Sequence, residues 1–312
     1  MESGELPMND AMGTLGKTVT GERPLRSAPE LPWSTLAWFG ALLILCYAPV
    51  LRLLISQWYN DADMGHGFFV PLVVGWIVWR QRDELMAVRP QPNYWGLLLV
   101  VWGMVQMLLG ALGAELFLAR TAFIISIVGA VLLLGGTKVL RMLAFPLFLL
   151  LFMIPIPAII YSQITLRFQI MASTIASTAL NAIGVPVLQT GNVLELANGM
   201  NLNVAEACSG IRSLLSLSFL SLVYAYLFDS KVWMRFVLLL AALPIAIAAN
   251  ALRVTITGII AARKPEYAEG ALHMFEGWVL FVVALLLLVA FHRLVNLIYE
   301  RYVVKRGELH HA

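Results

Sequence analysis

"NVAEACSGIRSLLSLSFL", residues 203–220, passes from a polar stretch into an apolar run. It carries Cys208, one of only two cysteines in 312 residues, four positions before Arg212. The meaning of that junction depends on which side of a membrane it faces. That the chain belongs in a bilayer follows from composition: 60% of its residues are hydrophobic and 12% charged, with mean hydropathy +0.83. Soluble domains have roughly 45–50% apolar and about 25% charged residues.

A crossing helix needs about 20 apolar residues to span about 30 Å of hydrocarbon. Eight stretches qualify: 33–57, 66–79, 94–112, 117–136, 142–160, 211–228, 236–260 and 274–291. The expected fold is an all-α polytopic membrane protein of about eight transmembrane helices, forming one membrane domain over residues 31–292. Residues 1–30, opening "MESGELPMND", are polar and irregular and lack the basic start and small-residue cleavage site of a signal peptide. They read as a disordered cytoplasmic tail. Residues 293–312 read as a cytoplasmic C-terminal tail, disordered around His310 and His311.

Orientation follows from where Lys and Arg fall. With the N-terminus inside, the two tails, "RQRDELMAVRP" (80–90), "GGTKVLR" (135–141) and "DSKVWMR" (229–235) are all cytoplasmic. The outer loop "WYNDADMGHG" (58–67) carries two acids and no Lys or Arg. The positive-inside rule therefore puts both termini inside and Cys208 outside.

The longest outer connection, 161–208, has structure of its own. "YSQITLRFQIMASTIASTALNAIG" (161–184) sets Ile164, Phe168, Met171, Ile175 and Ala179 near helical spacing and stops at Gly184. It predicts an amphipathic helix lying along the membrane surface. In the next segment Leu194 and Leu196 alternate with polar residues before Asn198-Gly199, and Leu202 and Val204 alternate after it. That pattern predicts a β-hairpin with a two-residue turn.

Cys208 stands in "ACSG", at the start of the sixth span. Helix N-terminal N–H groups and their partial positive charge favour thiolate over thiol and can cradle an oxyanion. Ser209, Gly210 and Arg212 surround it. Cys46, in span one, reads instead as a small buried apolar residue. The depth difference argues against a disulfide between the two.

"LPIAIAANALRVTITGII" (243–260) sets Asn250, Arg253 and Thr257 on one helical stripe, with Arg253 about 10 Å from the outer end at Ile260. A charge inside the hydrocarbon costs about 2.5–3.5 kcal/mol and calls for a polar interior or a partner. In "KPEYAEGALHMFEGWVLF" (264–281) His273 opens span eight, and Gly277, one turn on, permits close helix approach. His66, between glycines in "DMGHGFFVP" (63–71), reads as a loop residue or as part of a flap over a site. Cys208, Arg253 and His273 lie on three helices that the topology brings to one leaflet. Together they supply a nucleophile, a planar cationic donor and an acid/base of near-neutral pKa, the requirements for acyl transfer through a thioester.

No metal and no cofactor is expected: the His and Cys residues lack paired ligand spacing, and there is no phosphate loop. Gly-x-Ser-x-Gly is absent too. The basic residues act as cytoplasmic anchors, which argues against nucleic acid as a partner. A transporter or polysaccharide-export subunit with Arg253 and Asn250 lining a path is the competing class. It is weakened by the nearly all-apolar spans three to five and the lack of a repeat.

"AEACSGIRSL" (205–214), "ANALRV" (249–254) and "HMFEGW" (273–278), preceded by "GHGFFVP" (65–71), resemble the exosortase/archaeosortase family from about residue 40 to 290. The resemblance implies a membrane cysteine transpeptidase with Cys208 as nucleophile, Arg253 as the oxyanion or substrate arginine and His273 as acid/base. Arg212, Asn250, Ser209, Gly210 and His66 would support the site. It implies as partners the bilayer and exported proteins bearing a C-terminal Pro-Glu-Pro signal, a hydrophobic span and a basic end. The enzyme would work at the periplasmic side of a bacterial inner membrane, with the acceptor undefined, often in exopolysaccharide producers. The largest subgroup carries an extra soluble C-terminal domain, whereas this chain ends soon after span eight, and Ser213 stands where some members have an aromatic residue. Both departures concern subtype.

Overall fold

The computed structural model describes residues 33–204, 210–264 and 271–310, with the side chains of Trp33, Leu36, 271–274 and 303–310 outside that description. The expected tail, 1–30, also lies outside it. The described chain is mainly helical. Helices α1 (Trp33–Cys46) and α2 (Ala48–Asn60) meet at a bend of 73°. Pro49 stands at the start of α2, where its missing N–H and fixed φ suit a helix beginning and break the preceding one. Tyr47 at the bend is fully buried and hydrogen-bonds Ser126 Oγ at 2.8 Å. Cys46 ends α1 and is exposed, contrary to its expected burial, because the bend leaves that face outside the packing.

A 3-10 turn, Ala62–Phe68, leads into α3 (Phe69–Arg80), followed by the short α4 (Arg82–Ala87) and α5 (Trp95–Leu112). Gly96, Gly103 and Gly110 of α5 repeat every seven residues and meet α6 so closely that β-carbons there would clash with Leu133, Ser126 and Ala119 respectively. Missing side chains let these two apolar helices pack backbone to backbone.

Helix α6 (Leu116–Leu149), extended by a 3-10 turn to Met153, gives a 38-residue apolar stretch. At 1.5 Å per residue this is about 57 Å, far more than one crossing needs. It is not one crossing. Gly136 breaks it with φ 79° and ψ −174°, and its Cα faces Gln91 so closely that a β-carbon would lie 1.9 Å from the Gln91 carbonyl oxygen. Gln91 lies between α4 and α5, at the end of α3 that carries Arg80. The other end of the second arm meets the opposite end of α3: His66 contacts the Phe152 carbonyl, and Trp58 donates Nε1–H to that of Met153. The arms are therefore antiparallel. Among the described residues six helical stretches are long and apolar enough to cross a membrane, seven with the bent pair, and the Gly136 corner divides one of them into two arms.

After Pro155 and Pro157 comes α7 (Ala158–Ala182), then a three-stranded antiparallel sheet: β1 (Val187–Thr190), β2 (Val193–Leu196) and β3 (Asn201–Asn203). The expected hairpin is β2–β3, with Leu194 opposite Leu202, but its turn is longer than the expected two residues: the Leu196 N–H donates to the Met200 carbonyl across Ala197–Gly199, and of Asn198 and Gly199 only the glycine has positive φ, 79°; β1 is an unforeseen third strand. The chain continues through α8 (Ile211–Phe228), α9 (Val232–Arg263) and α10 (Ala271–His310). Helix α10 passes residue 292 unbroken, so the expected disordered C-terminal stretch is helical to His310.

Helix α7 is the expected helix, and one of its faces packs along α9. Ala172, Ala176 and Leu180 share a buried cluster with Ala251, Val254 and Ala261 of α9, and Leu180 lies against Gly258. The two helices thus run alongside each other, while Met171 and Ile175 of the anticipated apolar face are exposed. Helix α9, with 32 residues, is about 48 Å long, more than a crossing of about 30 Å needs. Helix α7 and the sheet pack on its C-terminal part, around Ala251, Val254 and Ala261.

Candidate active site

Gly210, at φ 59°, turns the chain into α8. A β-carbon there would lie 2.9 Å from Asn250 Nδ2, so glycine serves both the left-handed backbone and the close approach of the amide. Asn250 is 5% exposed, and its Nδ2 is buried without a hydrogen-bond partner among the described residues. One turn outward on α9, the Arg253 guanidinium lies on Gly277 of α10, where a β-carbon would fall 2.9 Å from Nη2 and 3.0 Å from Cζ.

These contacts close a cleft between α8, α9 and α10. Ser213, Asn250, Arg253 and the Gly277 backbone form its polar wall; Leu217, Leu280 and Phe281 contribute its apolar lining. It is a narrow cleft, partly open to the outside, with a cavity volume of about 10 Å³. Thr257, 1% exposed, donates Oγ1–H to Glu276 Oε2 at 3.2 Å. Arg253 lies 21 residues beyond the start of α9, about 31 Å along it, and is half-buried. A guanidinium held there, partly desolvated, is a strong planar donor to an oxyanion or a carboxylate.

Cys208 and Ser209 lie outside the described residues, directly before Gly210. His273 is on the first turn of α10, one turn from Gly277, with its side chain outside the description. Gly210, two residues after Cys208 in sequence, and Gly277, one turn after His273, thus meet α9 at Asn250 and Arg253 of this cleft. Arg212 and His66 do not line it. Successive residues on a helix point about 100° apart, so Ser213 faces the cleft while Arg212 turns to the Ala62–Phe68 turn, its Nε donating to Asp63 Oδ1 at 3.0 Å. Tyr161 of α7 donates its hydroxyl to the other oxygen of Asp63. Burial, followed by the Asp63 carboxylate, pushes the Tyr161 phenol up, so it stays a protonated donor. Within the same turn, His66 Nε2 is 3.1 Å from the Phe152 carbonyl oxygen. Asp63 thus ties the turn, α7 and α8 together beside the cleft.

Sequence reasoning did not single out Glu276, Ser213, Asp63 or Tyr161. Glu276 was legible in principle: it is the one acid in "HMFEGW", three residues after His273 and on the same face.

The fold and the cleft define a multi-pass membrane protein with a polar site at the mouth of three helices. The family model of the transmembrane exosortase matches residues 58–290, about three quarters of the chain, and the chain belongs to that family. No curated protein and no solved structure matches it.

Proposed function

We propose that the protein is an intramembrane cysteine protease and transpeptidase that removes the C-terminal Pro-Glu-Pro sorting signal of exported proteins at the periplasmic face of a bacterial inner membrane. The observation that carries the reading is the contact of Arg253 with Gly277. Together with that of Asn250 and Gly210, it supports a site shared by the thiol, the guanidinium and the imidazole. Family membership supports the chemistry.

In this reading the Cys208 thiolate attacks the scissile carbonyl, and its new oxyanion is stabilised by Arg253 and by N–H groups at the start of α8. Collapse forms the Cys208 thioester and breaks the C–N bond, and the protonated His273 imidazole gives its proton to the leaving amine. An acceptor nucleophile then attacks the thioester and loses its proton to His273, which restores the thiolate and releases the new acyl product. The substrate's own membrane helix brings the motif to the outer boundary, where the apolar side of the cleft receives the adjoining residues.

The test is a co-expressed reporter ending in a Pro-Glu-Pro tail. With Cys208→Ala the uncleaved precursor accumulates, and the reading is abandoned if processing continues at the parent rate. Arg253→Lys impairs processing strongly, because an ammonium cannot reproduce the planar fork.

A further inference from the structure

Beside the cleft, next to its lining residue Gly277, stands a carboxylate that the proposed mechanism does not use. Glu276 stands on α10 between His273, three residues before it, and Gly277, the next residue, on which Arg253 rests. The carboxylate is held from across the interface: Thr257, almost fully buried and one turn outward from Arg253 on α9, donates to Oε2. Arg253 and Thr257 are i, i+4 on α9, and they meet consecutive residues of α10. The anionic and cationic side chains are thus anchored a single turn apart at one helix contact.

A carboxylate turned into a half-buried helix interface, away from bulk water, is unfavourable unless positive charge offsets it. The charged and titratable groups at this end of the elements around Glu276 are Arg253, with Arg263 and Lys264 at the end of α9; His273 on its own helix; Arg212 at the start of α8; and Glu206 and Cys208 on the approach to α8. The cations among these can offset its charge, and a fixed negative charge beside an imidazole favours the imidazolium.

We propose that Glu276, pinned by Thr257, is a positioning residue of the cleft whose charge orients Arg253 and keeps the His273 imidazole protonated for delivery to the leaving amine. The inference rests on the acyl-transfer reading of the same site. In this proposal Glu276 acts through Arg253 and His273 and not on the scissile bond itself.

The sign of its effect is fixed. Protonated His273 is the required form, so loss of its proton sets the basic limb of the pH–rate profile. Removing the neighbouring negative charge lowers that pKa and moves the limb to lower pH. The test uses the full chain reconstituted in vesicles, with a synthetic peptide that carries a Pro-Glu-Pro motif and an apolar segment as probe. Glu276→Gln preserves shape and an oxygen for Thr257. It is expected to cut the cleavage rate about tenfold or more and shift the basic limb down by about one unit, with an unchanged melting temperature. Thr257→Val should give a smaller loss in the same direction, and Thr257→Ser should restore the parent profile. A Glu276→Gln enzyme with the parent rate and profile, when Cys208→Ala is dead, overturns the positioning role and leaves the acyl-transfer reading standing. Cleavage that persists in Cys208→Ala overturns that reading instead. Should Glu276→Gln not fold, the Thr257 pair decides: matching profiles for Val and Ser at that position overturn the role.

Discussion

The Arg253 guanidinium is seated on Gly277: there is no room for a β-carbon between the side chain on α9 and the backbone of α10. Gly277→Ala must therefore displace the guanidinium, at the far end of a flexible side chain, without disturbing either helix backbone. Misplacing a positioned catalytic group by about 1 Å can cost on the order of 100-fold in rate. Reporter processing is expected to fall roughly 10- to 100-fold with little change in the melting temperature of the detergent-solubilised protein. Wild-type processing would mean that Arg253 works from some other position.

Gly210 has two reasons to be glycine, and they add. Its φ of 59° is unfavourable for any residue with a β-carbon, and that carbon would also meet the Asn250 amide at 2.9 Å. Left-handed backbone alone costs an L-residue about 1–2 kcal/mol. Gly210→Ala is expected to destabilise by at least that much and to impair processing, because the turn it distorts carries the chain from Cys208 into α8. Asn250→Ala in the same background should relieve the steric part but not the backbone part. Thermal unfolding of the single and double variants separates the two contributions.

Most of the crossings could be read from apolar length alone. The corner at Gly136 coincides with the basic break "GGTKVLR" between the fourth and fifth stretches, and the turn at Asn198-Gly199 announced β2–β3. What sequence could not decide was which face of each helix is inside. Beside a membrane the hydrophobic contrast between interior and surroundings vanishes, so close packing falls to small residues. Helix α7 accordingly buries Ala172, Ser173 and Ala176 while exposing Met171 and Ile175. The apolar stripe with Met171 and Ile175 is thus left free of protein contacts, as a lipid-facing stripe would be, while the small residues take the packing face. The stripe Asn250–Arg253–Thr257 was legible because polar groups in an apolar run need a reason. The partner of Arg212 was not, since Asp63 lies 149 residues away in sequence.

Arg212 and Arg253 provide an internal contrast. The Arg212–Asp63 pair is about half open to solvent on the arginine side, with 53% of that side chain exposed. Exposed ion pairs contribute about 0–1 kcal/mol. Arg212→Lys keeps the charge and is expected to leave processing within about twofold of parent, whereas Arg253→Lys loses most of it. Side-by-side initial rates in the same vesicles check this. Equal sensitivity of the two positions would place Arg212 in the reaction, contrary to its geometry.

At the opposite end of the bundle, Asp229 caps the α8–α9 junction and carries a pH prediction. Its carboxylate accepts from the Lys231 backbone N–H at 2.8 Å, from His292 Nε2 at 3.0 Å and from Asn296 Nδ2 at 3.0 Å. Burial would raise its pKa, but hydrogen bonds from His292, the Lys231 N–H and Asn296, with the Lys231 charge, outweigh burial and hold it at about 2 against an ordinary 3.8. A folded pKa below the unfolded one means that the ionised group favours the fold. The contribution, about 2 kcal/mol, is complete above pH 4. It declines as the unfolded chain protonates first and vanishes as pH falls through 2. In detergent, the parent's melting temperature should therefore drop between pH 4 and 2, and Asp229→Asn should start lower at neutral pH and show a shallower decline over that interval. Parallel acid limbs for parent and variant would show that the junction draws no stability from this charge.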